Sequence, residues 1–242
     1  KMKFKRPETI GGIPVEGATA RFLADLEKKE AEKKQTENII VNPNIDTSKF
    51  IYVPDIKLYL AKEITHLSLD WYQAHEALHR ENLLMPTPFQ FVEYIKYLKR
   101  DHQDRSEAEK ILDDILAVRS PYRGQWLDAD FKLVNKKLHI NYNHRTINNK
   151  LEPQDSDLLE DFLESDKTPG IDLEDWIENY SKHGLPKPNT KNGSLYYWAP
   201  MKDNKSVAWF FSNSDRVGLY CGGDPYFSDG SLGVRASFMA KP

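Results

Sequence analysis

One cysteine, Cys221, is the chain's whole supply, so no disulfide can form within it and the cystine-stapled scaffolds of animal lectins are excluded. Long apolar runs are missing as well. No stretch approaches the roughly 18 to 20 apolar residues that a bilayer-crossing helix needs, which predicts no membrane span. Charge of one sign is also lacking: 34 Lys and Arg stand against 37 Asp and Glu, a formal net charge of −3, and so no nucleic-acid partner is expected. No repeat of solenoid period is visible. The opening residues KMKFKRPETIGG carry no apolar stretch of the secretory kind, which leaves placement inside a cell, on its surface, secreted or on a virus all open. Glutamate, finally, disappears after Glu178, and that loss coincides with a shift from helical patterns to short strands separated by Gly, Asn, Asp and Pro.

What is there suits a globular protein. With 242 residues, 39% of them hydrophobic and 12% aromatic, the chain is long enough to bury a real core. Residues 1–45 read as an amino-terminal arm or helix, because the Lys/Glu block that follows Phe22, Leu23 and Leu26 has no apolar stripe. Residues 46–242 read as one α+β domain. Within it, FIYVPDIKLYLAKEIT predicts a strand-like run with a helix entry or turn at Asp55. Leu67, Trp71, Ala74 and Leu78 recur at helical spacing, and Thr87 with Pro88 begins a second helix carrying Phe89, Val92, Ile95 and Leu98. Ser106 and Glu109 stand at capping-box spacing for a third helix, with Ile111, Leu112, Ile115 and Val118 turned inward. KLVNKKLHINYNH suits a hairpin, DLLEDFLES and DLEDWIENYS suit short helices, and SLYYWAP an aromatic strand.

Motifs that carry chemistry are few. His75-Glu76-Ala77-Leu78-His79 matches H-E-x-x-H, whose two histidines share a helix face, so the pair could bind zinc while Glu76 polarises a water. The other reading keeps Leu67, Trp71, Ala74 and Leu78 as a buried stripe with His75 and His79 partly solvated beside it. No third ligand is marked by a motif, since Glu81 and Glu93 lack one and His66, His102, His139, His144 and His183 are scattered. Cys221 reads as a plain small residue in or beside a surface loop, and Gly222-Gly223-Asp224 as a turn without the Lys-Ser/Thr of a phosphate loop. Asp215, Asp224 and Asp229 do not match a calcium-loop spacing. No catalytic residue, resident metal or cofactor is therefore assigned.

The stretch from Trp209 to Phe238, WFFSNSDRVGLYCGGDPYFSDGSLGVRASF, sets Trp, Tyr and Phe among Ser, Gly, Asn and Asp. That is the composition of adaptable binding surfaces, where rigid rings supply contact area at low entropic cost. Its frame consists of Asn213, Ser214, Asp215, Arg216 and Leu219, followed by Ser228 through Arg235. This run resembles the variable region of diversity-generating retroelement variable proteins, most closely the archaeal, nanoarchaeal-type subgroup. Its closing Leu232-Gly233-Val234-Arg235 is similar to the ending of C-type lectin-like and formylglycine-generating-enzyme-like domains, although the catalytic cysteines of the latter are missing.

The resemblance implies a C-type lectin-like fold with helices packed around small antiparallel sheets and a variable region at about 209–238. It implies binding rather than catalysis, with a protein or cell-surface ligand. Diversified positions would be those interrupting the frame: Phe211, Val217, Gly218, Tyr220, Gly222, Asp224, Tyr226 and Phe227, followed by Ser212, Gly223 and Ser228. The alternative, from the residues alone, is that Phe211, Tyr226 and Phe227 are core aromatics of a β-domain. Trp209 and Phe210 are expected in the core, with Leu219, Leu232 and Val234 pointing inward.

Overall fold

The computed structural model describes residues 9–10, 13–14 and 45–240 of a chain that divides into two compact units, Lys1–Ile40 and Val41–Pro242. In the first unit, β1 (Thr9–Ile10) and β2 (Ile13–Pro14) pair as a short antiparallel ribbon. The helix expected over the Lys/Glu-rich arm lies outside the described residues. The second unit is mixed α+β.

It begins with β3 (Phe50–Val53) and β4 (Leu58–Ala61), joined by a 3₁₀ turn over Pro54–Ile56. Pro54 suits the first position of that turn because its ring presets φ, and Lys57 closes it in the left-handed region at φ 50°. β15 (Ser237–Met239) pairs antiparallel with β4, so the unit's first strands and the chain's last lie side by side in one sheet.

Three helices follow β4. α1 (Trp71–Arg80) starts at Asp70, whose carboxylate accepts the Gln73 N–H while the Gln73 side chain returns to the Asp70 N–H. Such a reciprocal cap satisfies two otherwise orphaned donors, and it leaves Leu67 outside the helix, half-exposed rather than buried. α2 (Pro88–Arg100) uses Thr87 and Gln90 in the same way, with Pro88 in its first turn as expected. α3 (Arg105–Leu116) is capped by Asp104, not Ser106, and Val118 falls beyond its end and is exposed.

The main sheet is built on β5 (Arg123–Val134). Its strand order is β10 (Lys167–Ile171), β11 (Leu195–Trp198), β13 (Val217–Gly223), β12 (Val207–Ser212), β5, β6 (Lys137–Tyr142) and β9 (Asp155–Leu158), with β14 (Leu232–Gly233) also beside β5. β5 and β6 form the expected hairpin. β7 (Arg145–Ile147) and β8 (Lys150–Glu152) make a small separate hairpin, and α4 (Leu173–Glu178) is the second of the two short helices expected in the middle of the chain. The first does not form. Asp155–Leu158 pairs with β6 instead, and the Leu159 N–H continues the ladder to the Leu138 carbonyl, so Leu159, Phe162 and Leu163 are buried from an irregular segment.

Strand alternation divides the interior in two. Leu127, Ala129 and Phe131 of β5, with Phe210, Leu219 and Cys221, meet the apolar faces of α2, α3 and α4 through Phe91, Ile95, Ile111, Ile115 and Trp176. On the other side Trp126, Val207, Leu232, Val234 and Phe238 pack against Trp71, Ala74 and Leu78 of α1. Cys221 is therefore a core residue of β13, not a loop residue, and burial pushes its thiol well above the ordinary range, which leaves it inert.

Candidate binding face

The period of two in β12 turns Ala208 and Phe210 into the helix-covered core and leaves Trp209 and Phe211 on the opposite face. Trp209 is half-buried, packed against the edge of the α1-side core rather than enclosed in it, whereas Phe210, Leu219, Leu232 and Val234 are buried as expected. Antiparallel pairing sets Trp209 opposite Tyr220 and Phe211 opposite Gly218. On the far side of β13, β11 runs parallel and contributes Tyr196 and Trp198 to the same face.

The rings form a continuous file. It leaves the core at fully buried Trp126, passes to Trp209 at 4.9 Å between centroids, then to Tyr220, Trp198 and Tyr196 at 5.6 Å each, with Phe211 at 5.6 Å from Trp198. Arg216 lies over the Tyr196 ring at 5.2 Å while its Nε donates to Asp215 at 3.0 Å. The Asn213 side chain accepts the Asp215 and Arg216 N–H groups and holds the β12–β13 turn.

The loop after β13 completes the face. The Asp224 carboxylate accepts the Tyr226 N–H at 3.0 Å, and the Pro225 carbonyl accepts the Trp71 N–H at the start of α1. Phe227 meets the Trp209 ring edge-on at 5.2 Å and Tyr226 lies 5.2 Å from Tyr72 of α1. Both are nonetheless open to solvent, Tyr226 at 72% and Phe227 at 42%. An exposed aromatic cluster backed by packed rings is unusual for a surface with no partner.

The structure therefore gathers five of the eight expected positions, Phe211, Tyr220, Asp224, Tyr226 and Phe227, on one surface. The other three are buried. Val217 points into the helix-covered core. Gly218 faces the aromatic side, but a Cβ there would stand 2.6 Å from the carbonyl oxygen of Tyr196, its partner in the parallel β11 strand alongside. Gly222 is buried beneath Met201, whose flexible end could yield. Among the secondary positions Ser212 is buried with its hydroxyl donating to the Ala117 carbonyl, Gly223 is buried, and Ser228 is exposed. Trp209, expected in the core, also belongs to the face, as do Tyr196, Trp198 and Tyr72, which no motif marks; the alternation in SLYYWAP is the available signal for Tyr196 and Trp198. Gly218→Ala is expected to lower the unfolding free energy by about 1–3 kcal/mol in denaturant titration, and unchanged stability would contradict this packing.

The HEALH segment is arranged differently from its expectation. His75 is fully buried and His79 half-buried, while Glu76 turns to solvent and pairs with Arg80 at 3.1 Å. His75 meets two residues that no motif had linked to it, Asp128 of β5 and His144 after β6. Burial lowers the His75 imidazole to about 3 and that of His79 to about 4, so both are neutral at pH 7. Burial alone would raise the Asp128 carboxyl, but His75 and the hydrogen bonds from His144 outweigh it and hold it below its ordinary value. No family model, no curated protein and no solved structure matches the chain.

Proposed function

We propose that the protein is a ligand-binding protein with a C-type lectin-like fold, of the retroelement-diversified kind, and that the aromatic face of β11, β12, β13 and the Asp224–Phe227 loop is its binding surface. The observation that carries this reading is the continuous, partly exposed file of rings on a rigid sheet. Anchors of this type take large, desolvated contacts at low entropic cost, which fits a protein or cell-surface ligand. The fold reading is supported by the pairing of β15 with β4, which brings the unit's two ends together around small sheets. Diversification is supported by the interleaving in the terminal stretch, where Leu219, Leu232, Val234 and Arg235 are buried while Asp224, Tyr226 and Phe227 are exposed. Changing the second group leaves the core untouched. An activity based on HEALH as a hydrolase is disfavoured, because Glu76 faces away from the buried histidines.

Two measurements test the proposal. At the locus, the codons for residues 209–238 should have a near-copy beside a reverse transcriptase gene, differing at adenines of the copy; no such copy would sink the diversification. For the surface, peptides selected from a displayed library on the wild-type protein should lose roughly tenfold or more in affinity when Phe211, Tyr226 and Phe227 are changed to Ser. The Tyr226→Ser and Phe227→Ser changes should each shift stability by only about 0.5 kcal/mol. Selected peptides that bind elsewhere and ignore these changes would count against the face.

A further inference from the structure

The binding face makes no use of the buried cluster under α1. His75 is completely enclosed, yet neither of its ring nitrogens has a hydrogen-bond partner among the described residues. A buried polar group left in that state is rare in folded proteins, because its lost hydration is not replaced. The groups around it are metal-ligand types. His75 Nε2 lies 3.6 Å from Asp128 Oδ1, His144 Nδ1 lies 2.5 Å from the same oxygen, and one donor atom from each of the three residues falls within 4.8 Å of the others. With metal–ligand bonds of about 2.0–2.2 Å, tetrahedral donors stand roughly 3.3 Å apart. The His75–Asp128 separation already suits an ion, and the His144–Asp128 hydrogen bond has to open by less than about 1 Å.

The supporting shell is also in place. Asp128 Oδ2 accepts the His144 backbone N–H at 3.0 Å, which fixes the carboxylate. Asp128 sits where β5 changes register against β12, between the Val207–Asp130 and Ala208–Leu127 pairs, and its own N–H donates to the Pro86 carbonyl. A bulge of this kind re-aims a side chain. One helical turn from His75, His79 donates or accepts through Nδ1 with Thr146 Oγ1 at 2.8 Å, while its Nε2 is buried without a partner. A histidine oriented through one ring nitrogen with the other left free is the usual arrangement of a metal ligand. Trp71 closes the cluster, its ring edge-on to His75 at 4.4 Å and to His144 at 4.9 Å.

We propose that His75, Asp128 and His144 form a buried structural site for a zinc-type divalent ion; the His79 ring, 5.6 Å from that of His75 and outside this set of three, would have to move inward to supply a fourth donor. The ion ties α1 to β5 and to the connection between β6 and β7. Its ligands are all covered and Glu76 is turned to solvent, so the site holds the fold rather than activating water.

Full-length protein unfolded in guanidinium with a chelator, then refolded with or without zinc, provides the test. Refolding with zinc should give about one equivalent of tightly held metal per chain and raise the Tm by about 5 °C or more over the metal-free protein. Cobalt in its place should give the visible absorption of a site with nitrogen and oxygen ligands. Asp128→Asn, which keeps the shape, should weaken uptake by tenfold or more, whereas His102→Gln should not alter it. Wild-type protein that refolds identically without metal and takes up no cobalt would overturn the site. So would a folded Asp128→Asn variant that binds as tightly as the wild type.

Discussion

Arg235→Ala should lower the unfolding free energy by about 3–5 kcal/mol, one of the largest losses available from a single side chain in this protein. Its guanidinium is fully buried and serves four acceptors. Nε donates to Gln125 at 3.2 Å, Nη1 to the carbonyls of Ala61, at 3.1 Å, and Lys62, and Nη2 to Asp114 at 2.8 Å. These partners belong to β5, the end of β4 and α3, so one planar fork joins the small sheet, the large sheet and a helix. Truncation takes this donor from the Lys62 carbonyl and the Gln125 amide oxygen and leaves the Ala61 carbonyl with the Tyr94 hydroxyl, in a space water reaches poorly and in addition to a cavity. Arg235→Lys should recover only part of the loss, because an ammonium cannot reach the same acceptors in fork geometry. Urea unfolding of the three proteins measures this directly, and a loss below about 1 kcal/mol for Arg235→Ala would show that Arg235 does not hold these elements together.

Much of the helical half was legible because helix starts are written locally. Thr87, Pro88 and Gln90 carry a cap, a preset φ and a returning amide within four residues, and the structure uses all three. Asp70 with Gln73 is the same kind of local signal; it starts α1 at Trp71, so Leu67, which shares the apolar spacing, lies before the helix. Periodicity also failed at DLLEDFLES. Leu159, Phe162 and Leu163 have helical spacing and are indeed buried, yet β6 presents an unpaired edge that takes Asp155–Leu158 as a strand. A competing sheet edge cannot be seen from inside a nine-residue window.

The same division applies to the two candidate sites. Exposed aromatics at Tyr226 and Phe227 follow from composition near a Gly/Asp-rich turn, and the register of β12 against β13 brings Phe211 and Tyr220 to them. Tyr196 and Trp198 depend on the parallel pairing of β11 with β13, which links segments separated by two turns and another strand. Gly218 looked like one more free position and is instead dictated by that same strand, whose backbone leaves no space for a Cβ. At the buried cluster, the i, i+4 spacing of His75 and His79 was visible, but their partners come from β5 and from the connection after β6. Asp128 carries no motif, since it is aimed by a register change, and His144 stood among five histidines without spacing to mark it.

Trp71→Ala should cost about 3–5 kcal/mol and should loosen both sites at once. Trp71 is buried at the first turn of α1, its indole Nε1 donates to the Leu127 carbonyl at 3.0 Å, and its backbone N–H donates to Pro225. Its ring is also the cover over His75 and His144. Removing it opens a large cavity, leaves the Leu127 carbonyl in β5 without that donor, and lets water reach the enclosed His75 ring. Trp71→Phe separates these effects: most of the apolar contact is kept while the indole hydrogen bond is lost, so a cost nearer about 1 kcal/mol is expected. The measurement is equilibrium unfolding of both variants, accompanied by hydrogen exchange on the backbone amides of α1 and of Tyr226 and Phe227. In Trp71→Ala those amides should lose protection together, because the Pro225 loop is seated on the start of α1. Protection lost in α1 alone would mean that the loop is held by the Trp209–Phe227 contact and Asp224, and that the aromatic face is independent of the helix beneath it.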